Sequence, residues 1–420
     1  MMDWRRLLSA RRLTDLRAEP IDPARSPFQK DFDRIVFCSA FRRLQDKTQV
    51  HPLAESDYVR TRLTHSLEVA SAGRSLGAGV GQVISGRRRL PQGLGAAEFG
   101  HIVSAACLAH DIGNPPFGHH GEALIREWFR DSSRGRSLLA PLTEAQREDL
   151  LHFEGNAQGF RILTRLQNWR DKGGLQLTAA TLGTFTKYPR LVDGDRPVDR
   201  SDAGGRKFGA MQSEAETFRE LVAELGLESA GHHRWLRHPL AYLVEAADDI
   251  CYQIVDLEDG FKLGKIPFAE AEELLLALGG SLRRYRELEE PDRQIAYLRA
   301  KAIGELIGQV ITLFLDVEPR LLDGSHRRAL LDDVPGTGAL RRIADVTAAK
   351  VFVSDSDYEQ SLGAEQVIHA LLDRAADEAG WTGSAYDRAL SVTDLVSGMT
   401  DSYAMQRYRR GRFPHQVAGE

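Results

Sequence analysis

The sequence predicts an all-α protein. Apolar residues recur at three- and four-residue intervals far more often than they alternate, and the stretches between these runs are rich in Gly, Pro and Asp. With 420 residues, 42% of them hydrophobic and 27% charged, the chain is long enough for one large core or two ordinary ones. Taken in order, TRLTHSLEVASAGRSLGAGVGQVI (61–84) sets Leu63, Leu67, Ala70 and Leu76 near helical spacing. AEFGHIVSAACLAHD (97–111) brings Phe99, Ile102, Val103, Ala106 and Ala109 round one side. The same period marks helices within 239–261, 270–280 and 299–315. Breaks fall at SGRRRLPQGLG (85–95), at NPPFG (114–118) and at RLVDGDRPVDRSDAGGRKFG (190–209), whose loop around Asp202 reads as mobile. In LQLTAATLGTF (175–185) and RLVDGD (190–195) a short hairpin competes with helix and loop.

Composition excludes several classes. Fifty-five basic against sixty acidic residues give a formal charge of -5, without the overall basic field of a dedicated nucleic-acid binder. Local clusters at 42–43, 87–89 and 407–412 still offer positive charge to a single strand of DNA. Cys38, Cys107 and Cys251 are odd in number, far apart and lack C-x-x-C pairing, which argues against a disulfide framework or a cysteine zinc site and for a reducing, cytoplasmic home. MMDWRRLLSARRL is basic but no apolar signal region follows it, and no apolar run reaches membrane-spanning length. Residues 1–30 read as an arm, solvated or touching another subunit; a membrane-surface helix is the competing reading.

Ligand chemistry concentrates in HDIGNPPFGHHGE (110–122). His110 and Asp111 close one helix, Gly113 and Pro115-Pro116 stop it, and His119, His120 and Glu122 begin the next. An imidazole and a carboxylate side by side at a helix end can reach one cation; the mixture suits Mn²⁺, Fe²⁺, Co²⁺, Ni²⁺ or Zn²⁺ without selecting among them. His65 lies within the apolar period of 61–76, and Asp248 and Asp249 lie mid-helix, where a carboxylate is expensive unless paired or bound to metal. Singly, each has a plain reading: a solvated cap, a core histidine, an acid facing water.

Together they form the order His65, His110-Asp111, Asp248, and with it the chain resembles the HD superfamily of metal-dependent phosphohydrolases. Within it the deoxyguanosinetriphosphate triphosphohydrolases (dGTPases) and dGTPase-like proteins are the branch resembled. The matching words are SAFRRLQDKTQV (39–50), RTRLTHSLEVA (60–70), AHDIGNPPFGHHGE (109–122), FEGNAQGFRIL (153–163), GTFTKYPR (183–190), KFGAMQSE (207–214), EAADDICYQIVDLEDG (245–260) and SGMTDSYAMQRYRR (397–410). They cover almost the whole chain.

The resemblance implies an all-α HD fold, with a catalytic core over 31–265 and a C-terminal helical region, 266–420, packed on it. It implies His65, His110, Asp111 and Asp248 as ligands of a divalent metal, Mn²⁺, Mg²⁺ or another transition ion; Asp248 is preferred to Asp249 on the resemblance alone. It implies His119 and Glu122 as the catalytic pair, three residues apart at a helix start, so that the carboxylate can hold the imidazole in one tautomer. His120 reads as a spare. A triphosphate needs further donors, and Arg62, Lys187 and Lys207 are the ones implied, Lys207 as part of a lid. Gln49 would read the deoxyribose, Tyr252 would stack under the sugar and exclude a 2′-hydroxyl, and Asp256 would bind the 3′-hydroxyl. The implied reaction converts a dNTP and water to deoxynucleoside and intact triphosphate, in a homo-oligomer, often a hexamer, with a dNTP or single-stranded DNA as effector. The rivals are an HD-type 5′-nucleotidase or phosphodiesterase, a nucleotide- or DNA-binding regulator with little activity, and a helical protein stapled by a metal.

Overall fold

The computed structural model describes residues 1–13, 22, 24–47, 60–88, 90–91, 93–168, 173–196, 201–279, 282, 284–351, 355–378 and 382–410. Among these lie eighteen α-helices and one small hairpin. The chain opens with α1 (Trp4–Leu7), α2 (Pro27–Phe37) and α3 (Ser39–Arg43), then runs through the long α4 (Arg62–Arg87) and α5 (Ala96–Ala109). After the Pro-Pro turn come α6 (Gly118–Asp131), α7 (Ser133–Leu139), α8 (Glu144–Leu151) and α9 (Gly155–Arg161). α10 (Ala179–Phe185) and α11 (Ala215–Leu225) lead to the hairpin, β1 (Ser229–Gly231) and β2 (Arg234–Trp235), and then to α12 (Pro239–Lys262). The remainder is α13 (Phe268–Leu276), α14 (Pro291–Leu322), α15 (Thr337–Lys350), α16 (Asp355–Asp377), α17 (Ala385–Ser397) and α18 (Asp401–Arg410).

α5 is the centre of the molecule. Ten of its fourteen residues are buried, because a helix apolar on all sides has no face to offer water. α4 packs along it through Gly73, Gly77 and Gly81, one residue every four and therefore on one face. A Cβ at Gly77 would lie 2.6 Å from the Phe99 carbonyl oxygen, and one at Gly73 2.4 Å from Cys107 Sγ. Absent side chains thus let the two backbones close up. α4 starts where it does because Thr61 and Thr64 form a reciprocal capping box, which sets His65 in the first turn.

Two apolar clusters share the chain. The first joins α2, α4, α5 and α10 to α15. The second gathers residues from α6 to α8 against α16 to α18. The 266–420 region therefore divides, its first three helices joining one cluster and its last three the other. Residues 1–13 do not form a free arm: Trp4, Leu7 and Leu8 are buried, Trp4 Nε1 donates to Glu318 Oε1 at 2.8 Å, and the Met2 N–H donates to the Leu322 carbonyl at 2.8 Å. Met2, Trp4, Leu7 and Leu8 are thereby covered by protein, while Met1 stays exposed. No helix among the described residues is long and apolar enough to cross a bilayer.

The hairpin lies elsewhere than 175–195. Thr178 caps α10 instead of entering a strand, its hydroxyl accepting the Thr181 N–H. Arg190 and Leu191 make only isolated bridges, and the paired strands are β1 and β2, register Ser229 with Trp235. Asp202, expected in a mobile loop, is buried and paired with Arg234. Burial and a charge partner fix that end of the loop; residues 197–200 lie outside the described ones.

Candidate metal and catalytic site

Three helices deliver the cluster: the first turn of α4, the C-terminal end of α5 and the middle of α12. His65 Nε2 lies 3.1 Å from Asp248 Oδ1. His110 Nε2 stands 3.6 Å from the same oxygen and 3.5 Å from Asp111 Oδ2. The two imidazole rings meet edge to face with centroids 5.3 Å apart. One ligand atom each from His65, His110 and Asp111 all fall within 4.8 Å of one another. Asp249 instead lies among the charges of Lys187, Glu245 and Arg237.

The donor set fits a cation. His110 Nδ1 is held by the Cys107 carbonyl at 2.6 Å, which makes Nδ1 the N–H donor and leaves Nε2 as the lone-pair nitrogen. That Nε2 is buried and has no hydrogen-bond partner although two carboxylates face it. A buried polar atom in that condition is what an ion between the ligands would satisfy. Burial works against charge on Asp111, yet Arg62 and the two histidines outweigh it and hold the carboxyl down to about 2. Asp248 likewise lies well below the ordinary carboxylate range, burial being overcome by His110 and His65. Desolvation opposes protonation of His65, and the hydrogen bond it donates to Asp248 outweighs it, raising the imidazole above its usual value. Both Asp111 oxygens have orienting partners: Arg62 Nη1 donates to Oδ2 at 2.9 Å and Asn114 Nδ2 to Oδ1 at 2.5 Å.

The second constellation sits on the next helix. His119 Nδ1 lies 3.1 Å from Glu122 Oε2, the imidazole exposed and the carboxylate buried. Glu122 Oε1 accepts the Gly155 N–H at 2.9 Å. Gly155 is required there, because a Cβ would lie 2.5 Å from Asn114 Oδ1 and 2.6 Å from Glu122 Oε1. Burial opposes the charge on Glu122, but the His119 bond and the nearby Lys207 keep its carboxyl below the usual value. Lys207 donates to Glu154 Oε1 at 2.9 Å and stands 4.0 Å from Glu122 Oε2. Burial first, and then Glu122, raise the carboxyl of Glu154.

The remaining expected residues are spread around this centre. Arg62 is buried on Asp111, not free in the cleft. Lys187 lies 3.5 Å from Glu245, which Arg237 also holds at 2.6 Å. Tyr252 is 38% exposed one turn beyond Asp248, and Asp256 one turn further is buried with Oδ2 unpartnered, its carboxyl raised by burial to about 7. His120 is exposed. Gln49 lies outside the described residues. Sequence reasoning did not single out Asn114, Glu154 or Lys47, whose partners are remote in the chain or are backbone atoms; the available signal was an acid beside a glycine in FEGN and an amide one helical turn after Asp111.

The family model for the HD domain matches residues 62–168, the stretch that carries His65, His110, Asp111, His119 and Glu122. A largely helical protein with this match contains an HD domain. A deoxyguanosinetriphosphate triphosphohydrolase-like protein of Pseudomonas aeruginosa (strain LESB58) is 41% identical over 442 aligned residues, 97% of this chain and 98% of the relative. One of the same description from Synechocystis sp. is 42% identical, with 98% and 99% covered. The deoxyguanosinetriphosphate triphosphohydrolase of Salmonella schwarzengrund is 34% identical over 82% of this chain and 75% of its own length. This chain belongs to the dGTPase-like family of HD-domain phosphohydrolases.

Proposed function

We propose that the protein hydrolyses deoxynucleoside triphosphates at the α-phosphorus, releasing deoxynucleoside and intact triphosphate. The observation that carries the reading is the His65, His110, Asp111 and Asp248 cluster with an unpartnered buried His110 Nε2, followed on the next helix by the His119–Glu122 pair. A divalent ion held by those four side chains would draw charge from an α-phosphate oxygen and acidify an attacking water. His119 then exchanges a proton with that water or with the departing 5′ oxygen, its exposed ring being open to both. Glu122, buried and anchored by Gly155, holds the ring through Nδ1 and so fixes its orientation and tautomer. Lys187 and Lys207 are the phosphate donors of this reading; each rests on a glutamate and exchanges it for a phosphoryl oxygen when substrate enters. Arg62 serves indirectly, by orienting Asp111. Tyr252 and Asp256 receive the sugar, whose 3′-hydroxyl would satisfy the unpartnered Oδ2 of Asp256. Gln49 completes the sugar site in this reading. The three free, buried cysteines support a reducing, cytoplasmic setting.

The test is incubation of the pure protein with Mn²⁺ or Mg²⁺ and each dNTP, alone and mixed, with products separated by ion exchange. Deoxynucleoside and triphosphate are expected, with a fall of about 10²–10⁴ in kcat for His119→Ala. Release of pyrophosphate, or undiminished turnover by the variant, would sink the reading.

A further inference from the structure

The loop from Asn114 to Gly118 joins the metal cluster to the catalytic pair, and chain from both sides of it is fastened there. Lys47 is buried, and its amine donates to the Asn114 carbonyl and, at 3.0 Å, to the Ser397 carbonyl in the last turn of α17. The Lys47 carbonyl accepts the Arg62 N–H at 3.0 Å, where the helix bearing His65 begins. Three turns at the site thus meet on one residue. Asp401, buried at the start of α18, accepts the Phe117 N–H on Oδ1 at 3.1 Å. Phe117 has a φ of +63°, a left-handed conformation that a bulky side chain rarely adopts and that surrounding structure must enforce.

We infer that Lys47 and Asp401 are positioning residues that lock the 114–118 loop from the C-terminal helices, so that the segment 397–401 sets the distance between the metal cluster and His119. This rests on the proposed reaction for its kinetic reading and on the loop geometry alone for the rest. Two carbonyls, 283 residues apart in sequence (397 minus 114), are held together by one buried side-chain amine that donates to both. The Phe117 amide precedes Gly118, the first residue of the helix that carries His119 and Glu122, so its anchor fixes where that helix starts. An error of about 1 Å in catalytic geometry is enough to slow chemistry about 100-fold.

The test uses the full chain with Lys47→Met, Asp401→Ala and the conservative Asp401→Asn, which keeps an oxygen acceptor. Hydrogen exchange of a peptide spanning 112–123 is followed alongside kcat, KM and thermal unfolding. Faster exchange in that peptide is expected for Lys47→Met and Asp401→Ala, with kcat lower by about tenfold or more, KM within about twofold, and recovery in Asp401→Asn. Exchange unchanged in both variants overturns the inference whether or not the protein hydrolyses dNTPs, and so does a faster loop with undiminished kcat. An inactive wild type would count against the proposed reaction and leave exchange to decide the locking role. Should Asp401→Ala fail to fold, Lys47→Met and Asp401→Asn carry the same comparison.

Discussion

His110 and Asp111 are neighbours in sequence, yet what makes them usable is what each touches elsewhere. One imidazole nitrogen is tied to a backbone carbonyl within its own helix, and the carboxylate is held between Arg62 and Asn114. Orienting partners of this sort typically change metal affinity by about 10–100-fold when removed. On the proposed metal site, Asn114→Ala is therefore expected to weaken Mn²⁺ binding by about tenfold while leaving His65, His110, Asp111 and Asp248 in place. Calorimetric titration of the apo protein checks it; unchanged affinity would mean that Arg62 alone orients Asp111. The proposed ligands were legible as candidates because histidine and aspartate at helix ends and in apolar runs stand out against their surroundings, and as a set only through their order along the chain. Asn114 and Glu154 were not, since an amide or an acid beside a glycine looks like ordinary turn chemistry until the fold brings its partner near. Arg62 shows the limit from the other side: its charge was legible, but the choice between a phosphate and Asp111 depends on the distance across to α5.

At the scale of elements, the period of three and four was sufficient for α4, α5, α12 and α14, whose observed bounds enclose or nearly enclose the expected runs. It left 175–185 open among hairpin, helix and loop; Thr-rich sequence has strand propensity, and the capping geometry of Thr178 decides for helix. The glycines of α4 were legible as letters and not as a seam, because only the approach of α5 gives them a function. Gly77→Ala separates two opposing effects. Helix propensity favours alanine by about 1 kcal/mol, whereas the new Cβ would press on the Phe99 carbonyl oxygen at 2.6 Å, a backbone atom that cannot swing aside. Overpacking of this kind costs about 1–3 kcal/mol, so the net change is expected to be destabilising. Gly304→Ala in α14, with nothing within 4 Å, keeps only the propensity gain and is expected to stabilise by about 0.5–1 kcal/mol. Denaturant unfolding of both variants decides it; a stabilised Gly77→Ala would show that α4 and α5 can separate at little cost.

At the scale of the molecule, the two apolar clusters were only half legible. Length allowed for two cores, but no composition shift marks where one ends, because the second joins helices separated by some two hundred residues of chain. Polar residues inside that contact are what tune its stability with pH. Asp149 on α8 is buried, and its Oδ2 takes the Tyr386 hydroxyl from α17 and the Gln212 N–H at 2.8 Å, while Oδ1 has no partner. Burial pushes the carboxyl up to about 8, helped by the negative charges of Glu214 and Asp193, although the two hydrogen bonds pull the other way. A carboxyl raised from an ordinary value of 3.8 holds its proton in the folded state over a range where the unfolded chain has lost it. The folded state then binds more protons than the unfolded one between roughly pH 4 and pH 8, so stability falls as pH rises through that window. Asp149→Asn cannot ionise and offers an N–H₂ where the protonated acid would carry its hydrogen. Its unfolding temperature should therefore fall less between pH 5 and pH 8 than that of the parent, with the two proteins nearest at pH 5. Parallel declines across the range would mean that Asp149 is ionised in the folded protein, and that Tyr386 and Gln212 outweigh its burial.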